Sequence, residues 1–113
     1  MKRGEIYFAN LDPAIGEETQ KKRPVLIVSN NANNNVAATV TIVPITSNVK
    51  KVYPFEVLLK RKDTGLNKDS KAQCHQIRTI SKLRISKSIP VGVVMNDVML
   101  KINDALQLHL DIP

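Results

Sequence analysis

The chain is short of the residues from which small proteins build covalent staples, metal cages and aromatic cores. Among its 113 residues are one cysteine (Cys74), four glycines, two tyrosines, two phenylalanines and no tryptophan. A lone cysteine excludes an intramolecular disulfide, and Cys74 with His75 and His109 falls short of the usual Cys/His zinc set. Also missing are a glycine-rich phosphate loop followed by lysine, a dinucleotide fingerprint, a His-Glu-x-x-His pair and a Gly-x-Ser-x-Gly elbow, so most cofactor chemistry lacks its framework. Apart from the adjacent Glu17 and Glu18 the carboxylates are scattered, and a mechanism without metal or cofactor is the economical expectation. No apolar run approaches the ~18 residues of a membrane span, and the N-terminus does not read as a signal peptide. The expectation is a soluble, cytoplasmic protein with no membrane partner.

What is present is an ordinary globular composition, 42% hydrophobic and 24% charged, on a length that suits a single domain over residues 1–113. A domain of this size buries roughly two thirds of its unfolded surface and folds without staples. Seventeen basic against ten acidic residues leave a formal charge of +7. Residues 21–51 hold Lys21, Lys22, Arg23, Lys50 and Lys51 with no acid, residues 52–94 hold nine basic against three acidic side chains, and both ends are mildly acidic. A basic centre fits a polyanionic partner, nucleic acid or an acidic protein, although a solvated surface accounts for the same charges.

Ile6–Leu11 is a β-rich run closed by Asp12-Pro13, since proline drives the preceding residue out of helical geometry. Residues 16–22 (GEETQKK) are polar and led by glycine, the composition of a mobile functional loop. Arg23-Pro24 opens a continuous apolar run to Val28, which reads as a buried strand with Arg23 at its mouth. The asparagines at 30, 31, 33, 34 and 35 predict a turn that is neither helix nor strand. Strand character returns at Thr39–Ile45, where Pro44 implies a bulge or an edge, and Thr46-Ser47-Asn48 turns the chain. Phe55, Val57 and Leu59 alternate with Glu56, Leu58 and Lys60 as a half-buried strand, and a further strand is predicted from about Lys71 to Ile80. After Asn96, placed as an N-cap, Val98, Met99, Ile102, Ala105, Leu106 and Leu110 recur at helical spacing. Short strands followed by one helix predict a mainly β fold, a small twisted antiparallel sheet or partly closed barrel with a C-terminal helix packed on it.

RNA carries its own nucleophile in the 2′-hydroxyl, so a small basic protein can cleave it with a base, an acid and donors around the phosphorane. Residue chemistry alone permits a ribonuclease without preferring it to a non-catalytic binding module. The blocks Lys2-Arg3-Gly4-Glu5-Ile6-Tyr7, Leu11-Asp12-Pro13, Gly16-Glu17-Glu18, Arg23-Pro24-Val25-Leu26-Ile27-Val28, Pro44-Ile45-Thr46-Ser47 and Gln76-Ile77-Arg78-Thr79-Ile80 add a sharper signal. In order and spacing, and over nearly the whole chain, they resemble the MazF/PemK (Kid) toxins of type II toxin–antitoxin systems. The resemblance implies an SH3-like barrel with helices, a homodimer, and sequence-specific, metal-free cleavage of single-stranded RNA (mRNA) to 2′,3′-cyclic phosphate and 5′-hydroxyl ends, which stops translation and growth. It also implies a cognate antitoxin whose acidic, flexible tail covers the RNA groove, a partner that suits a chain of charge +7.

The same resemblance assigns residues. Arg23 matches the catalytic arginine, whose guanidinium can fork two phosphate oxygens. Thr46 matches the active-site threonine, with Ser47 as a lesser RNA contact; capping of the local turn is the alternative role, a better account of Ser47 than of Thr46. Glu18, in the family's Gly-x-Glu loop, is the implied proton acceptor or RNA contact, beside Lys21 and Lys22 as RNA-binding cations, while Glu17 stands where Kid-type members have His. Kid-type toxins place an Arg and an Asp, two residues apart, where this chain has Gln73 and His75. A neutral amide cannot replace a cation, whereas an imidazole of ordinary pKa ~6.5 trades protons near neutrality, so His75 is the expected substitute acid or base and Gln73 an RNA contact. On one regular strand Gln73, His75 and Ile77 would share a face, with Cys74, Gln76 and Arg78 opposite. Gln76 and Arg78 match the Gln-x-Arg-Thr block, for base or phosphate contact or for scaffolding, and Cys74 reads as a small buried hydrophobe.

Two other functions use the same scaffold. One is a non-enzymatic poison of DNA gyrase of the CcdB kind; the other is an RNA-binding homologue whose catalysis is impaired by Gln73 and His75. Arg23 and Thr46 favour the nuclease.

Overall fold

The computed structural model describes residues 1–113. Its elements are strands β1 (Glu5–Asn10), β2 (Lys22–Ile27), β3 (Thr39–Thr46), β4 (Glu56–Leu59), β5 (Ser70–Gln73), β6 (Arg78–Ser81) and β7 (Gly92–Val93), and helices α1 (Asn31–Val36), α2 (Arg61–Thr64) and α3 (Asn96–Leu110). The strands form one antiparallel sheet in the order β4-β5-β3-β2-β1-β7, with β6 also on β3. It is the mainly β architecture with a C-terminal helix that the pattern of short strands implies, a curled half-barrel.

Both faces of the sheet are covered, which explains why Val25-Leu26-Ile27 is uninterrupted apolar sequence rather than an alternation. Leu26 joins Ile6, Val43, Ile45, Val57 and Leu59 in the core beneath α3, which inserts Met99, Ile102 and Ala105. Val25 and Ile27 join Tyr7, Ala9, Leu11, Val40, Ile42 and Ile80 in a second core on the opposite face. Each fully buried aliphatic side chain contributes about 1.5–3 kcal/mol of transfer free energy, so α3 and the central strands depend on each other. At β7 the chain needs glycine, because a Cβ on Gly92 would stand 2.5 Å from the Thr64 carbonyl oxygen.

The long strand β3 is the hub. One edge pairs with β2; along the other, Thr39–Ile42 pair with β6 and Ile45–Thr46 pair with β5. Pro44 is buried at that change of partner, where β3 has β2 on one side and neither β6 nor β5 on the other, so the proline sits at the local gap in pairing that a missing N–H suits.

The partner exchange also corrects the strand expected from Lys71 to Ile80. It is two strands, β5 and β6, joined by a 3₁₀ turn at Cys74–Gln76, so the strict alternation of faces fails there. Three further expectations change. The asparagine-rich segment is helical as α1: Asn30 caps it by accepting from the Asn33 N–H (2.8 Å), and Asn34 is buried with its Nδ2 donating to the Ser29 carbonyl (2.8 Å). Those local bonds, together with the Arg3 N–H donating to Asn31 Oδ1 (2.7 Å) and Lys82 Nζ donating to the Asn34 carbonyl (2.6 Å), override the asparagine preference for turns. The N-cap of α3 is Met95, with Asn96 already helical, while Asp97 still complements the dipole in the first turn. Glu56, placed on the outer face by alternation, is buried by an ion pair with Lys71.

Candidate active site

Arg23 and Thr46 lie at the facing ends of two neighbouring antiparallel strands, Arg23 near the start of β2 and Thr46 at the end of β3. The β2–β3 ladder runs from Ile27 opposite Ile42 to Val25 opposite Pro44, and Arg23 and Thr46 stand two residues beyond its last pair, Arg23 opposite Ala9 of β1 and Thr46 opposite Lys71 of β5. Both residues are half-buried. Arg23 Nε donates to the Gln20 carbonyl (3.1 Å), and no protein acceptor takes its terminal nitrogens. Thr46 Oγ1 accepts from the Asn48 N–H (3.3 Å), a turn cap that leaves the hydroxyl proton free to donate. Beside them is an open cavity of about 590 Å³ lined by Lys22, Arg23, Ser47 and Lys68, with no carboxylate on its walls; Thr46 itself is not part of the lining.

Glu18, His75, Gln76 and Arg78 gather instead around a neighbouring cavity of about 240 Å³, against Pro44 and Thr19. Lys21 lines neither. Its backbone is left-handed at φ 70, and its N–H donates to Asp12 Oδ1 (2.9 Å) while its carbonyl accepts from the Leu11 N–H (2.9 Å). Those bonds compensate a conformation that non-glycine residues rarely adopt, and they aim the chain into β2 directly before Arg23.

Thr19, which no motif singles out, fastens the polar loop across the sheet. Its Oγ1 donates to Gln73 Oε1 (3.0 Å), its N–H donates to Gln76 Oε1 (3.3 Å), and Gln76 Nε2 donates back to the Glu17 carbonyl (3.1 Å). Gln73 and Gln76 therefore serve one loop, a consequence of the 3₁₀ turn that opposite faces of a regular strand would forbid. The readable signal was a threonine in a charged loop and two glutamines three apart. Glu18 Oε1 accepts from the Ile15 N–H (2.8 Å), and Arg78 Nη1 donates to the Leu11 carbonyl (3.3 Å), so each also shapes the loop it borders.

His75 is held edge-on to Phe55 (ring centroids 4.4 Å apart) and faces His109 of α3 (6.5 Å). Its Nδ1 is buried with no hydrogen-bond partner. An imidazolium must donate from both nitrogens, so this setting penalises the charged ring. Burial lowers the His75 pKa, aided by His109 and Lys71 and opposed by Glu56. The folded chain thus holds fewer protons than the unfolded one below the ordinary value of about 6.5, and the stability that neutral His75 supplies is present above that pH and lost as pH falls below it. Urea midpoints should decline from pH 7.5 to pH 5 in the wild type, and decline less in His75→Phe; equal slopes would show that His75 has no part in the acid loss. Cys74 is fully buried, its thiol pushed up to about 12 by burial and by Glu56, in keeping with a packing role.

With this geometry in place, comparison with known proteins is decisive. The profile of the PemK-like, MazF-like toxins of type II toxin–antitoxin systems matches residues 2–110. The chain belongs to that family. It is 45% identical to endoribonuclease MazF9 of Mycobacterium tuberculosis (strain ATCC 25618 / H37Rv) over 99% of this chain and 98% of the relative. It is 36% identical to endoribonuclease EndoA of Bacillus subtilis (strain 168), over 97% and 94%. Among solved structures, an endoribonuclease in complex with its cognate antitoxin from a mycobacterial species superposes with a TM-score of 0.81 at 30% identity, covering 100% of this chain and 97% of that one. The family and the fold agree. No helix is long and apolar enough to cross a membrane.

Proposed function

We propose that the chain is an endoribonuclease toxin that cleaves single-stranded RNA by internal attack, acting on mRNA in the cytoplasm as a homodimer and silenced by a cognate antitoxin with an acidic flexible tail. The observation that carries this reading is the 45% identity, over almost the full length of the chain, to an endoribonuclease, and the placing of Arg23 and Thr46 at the facing ends of neighbouring strands supports it. Curated relatives that are endoribonucleases favour RNA cleavage over gyrase poisoning.

The chemistry follows from the groups. The 2′-oxygen forms a bond to the adjacent phosphorus as the bond to the 5′-oxygen breaks, leaving a 2′,3′-cyclic phosphate and a 5′-hydroxyl. Charge accumulates on the non-bridging oxygens, where the free terminal nitrogens of Arg23 and the hydroxyl of Thr46 donate. Lys22 and Lys68 supply the surrounding positive field, and Ser47 a further donor. His75, kept neutral near pH 7 by burial, is in the form that accepts the 2′-hydroxyl proton, with Glu18 on the same cavity as a second acceptor; the departing 5′-oxygen takes its proton from water. Gln73, Gln76, Arg78 and Lys21 contribute by setting the loop against which the strand lies.

The test is to incubate the purified protein with a long RNA in the presence of a chelator and map the ends. Cyclic-phosphate and 5′-hydroxyl termini at a recurring sequence are expected; intact RNA would return the chain to the binding-module or gyrase alternatives.

A further inference from the structure

Half of the chain's four aromatic residues stand together on the segment leaving Thr46. Tyr53 and Phe55 stack with centroids 5.3 Å apart and planes inclined by 6°, and Tyr53 is 42% exposed. The Lys51 ammonium lies 4.9 Å and the Lys71 ammonium 5.8 Å from the Tyr53 centroid. The pair is braced from beneath: Phe55 rests on the edge of His75, Glu56 Oε1 accepts from the Tyr53 N–H (3.0 Å), and Lys71 Nζ donates to both Glu56 Oε1 (3.0 Å) and the Lys51 carbonyl (2.6 Å).

Packing alone gives no reason for this arrangement. A large ring gains most from burial, yet Tyr53 is left with one face on Phe55 and the rest in a lysine-rich, solvent-facing setting. A flat ring beside the exposed Lys51 is what an unpaired base requires, with a π-face to stack on and an ammonium for the adjoining phosphate, while the paired Lys71 only braces the stack. The location is also suitable, because Lys71 pairs with Thr46 across β5 and β3, which puts the stack one lysine side chain away from the cleavage site.

We propose that Tyr53, backed by Phe55, is a stacking platform for one unpaired base flanking the scissile phosphate, with Lys51 leaving the ring for a neighbouring phosphate when RNA binds. This rests on the endoribonuclease reading. Stacking on an aromatic face is tolerant of base identity, so the platform sets how firmly and in which register the strand lies, more than which base it reads.

The experiment uses an RNA spanning a mapped cleavage site, made inert by a 2′-deoxy nucleotide at the attacking position, and a series of the same RNA with one abasic nucleotide walked along it. Tyr53→Ala and Tyr53→Leu should each weaken binding about tenfold, Tyr53→Phe should not, and at one abasic position the loss should disappear. Equal affinity of Tyr53→Leu and wild type, or losses that add at every abasic position, would overturn the platform. So would a changed oligomeric mass of Tyr53→Ala with unchanged RNA affinity, which would make Tyr53 a protein contact. Should the wild type cut no RNA, the nuclease reading fails by itself; the platform is then judged on single-stranded poly(A), where equal affinity of wild type and Tyr53→Ala rejects it.

Discussion

Replacing Arg23 by alanine should lower RNA cleavage by about a hundred- to a thousandfold, the cost of removing one preorganised donor of transition-state charge. The fold should not register the change: Arg23 is half-buried and the only hydrogen bond of its side chain within the protein is from Nε to the Gln20 carbonyl. Arg23→Lys should recover little, because a point charge cannot reproduce the planar fork that reaches two phosphate oxygens at once. Thr46→Ala should cost less, since it removes a neutral donor. The rates are to be compared on a mapped RNA, with urea midpoints and oligomeric mass as controls. Rapid cleavage by a folded Arg23→Ala protein would remove the guanidinium from the reaction.

That prediction rests on a juxtaposition only partly legible in the sequence. Strand β2 was readable because Val25 and Ile27 serve one core and Leu26 the other, and α3 because Met99, Ile102 and Ala105 recur on one face. Arg23 and Thr46 were singled out by resemblance, since spacing cannot say that residues 23 apart in sequence stand at the facing ends of two paired strands. The region from Lys71 to Ile80 misled for a related reason. Whether that run stays one strand depends on how β3 shares its edge, a long-range fact invisible in local alternation. The two glutamines consequently meet the same threonine, and His75 turns towards Phe55 and His109. The asparagine segment became a helix partly for the same class of reason: Asn31 Oδ1 accepts from the Arg3 N–H and the Asn34 carbonyl from Lys82 Nζ, partners that no propensity scale contains.

The buried pair between Glu56 and Lys71 was the least legible feature and carries the largest expected effect on stability. The Glu56 side chain is 3% exposed and that of Lys71 11%, with Nζ 3.0 Å from Oε1. Their mutual attraction roughly offsets the cost of taking both charges out of water, but losing one partner leaves the other charged, buried and unmatched. Lys71→Met should therefore destabilise the protein by about 3–5 kcal/mol, as should Glu56→Met. The double variant, apolar on both sides, should regain most of that loss, because it strands no charge. Glu56→Gln should fall between, since an amide oxygen can still accept from the Tyr53 N–H and from the ammonium. Urea unfolding at a fixed protein concentration measures all four, and losses that simply add in the double variant would show that the two groups act independently. The same substitutions separate stability from function. Lys71 also holds the Lys51 carbonyl, so the double variant should refold well yet leave residues 47–55 less fixed, and RNA affinity should drop further than stability does.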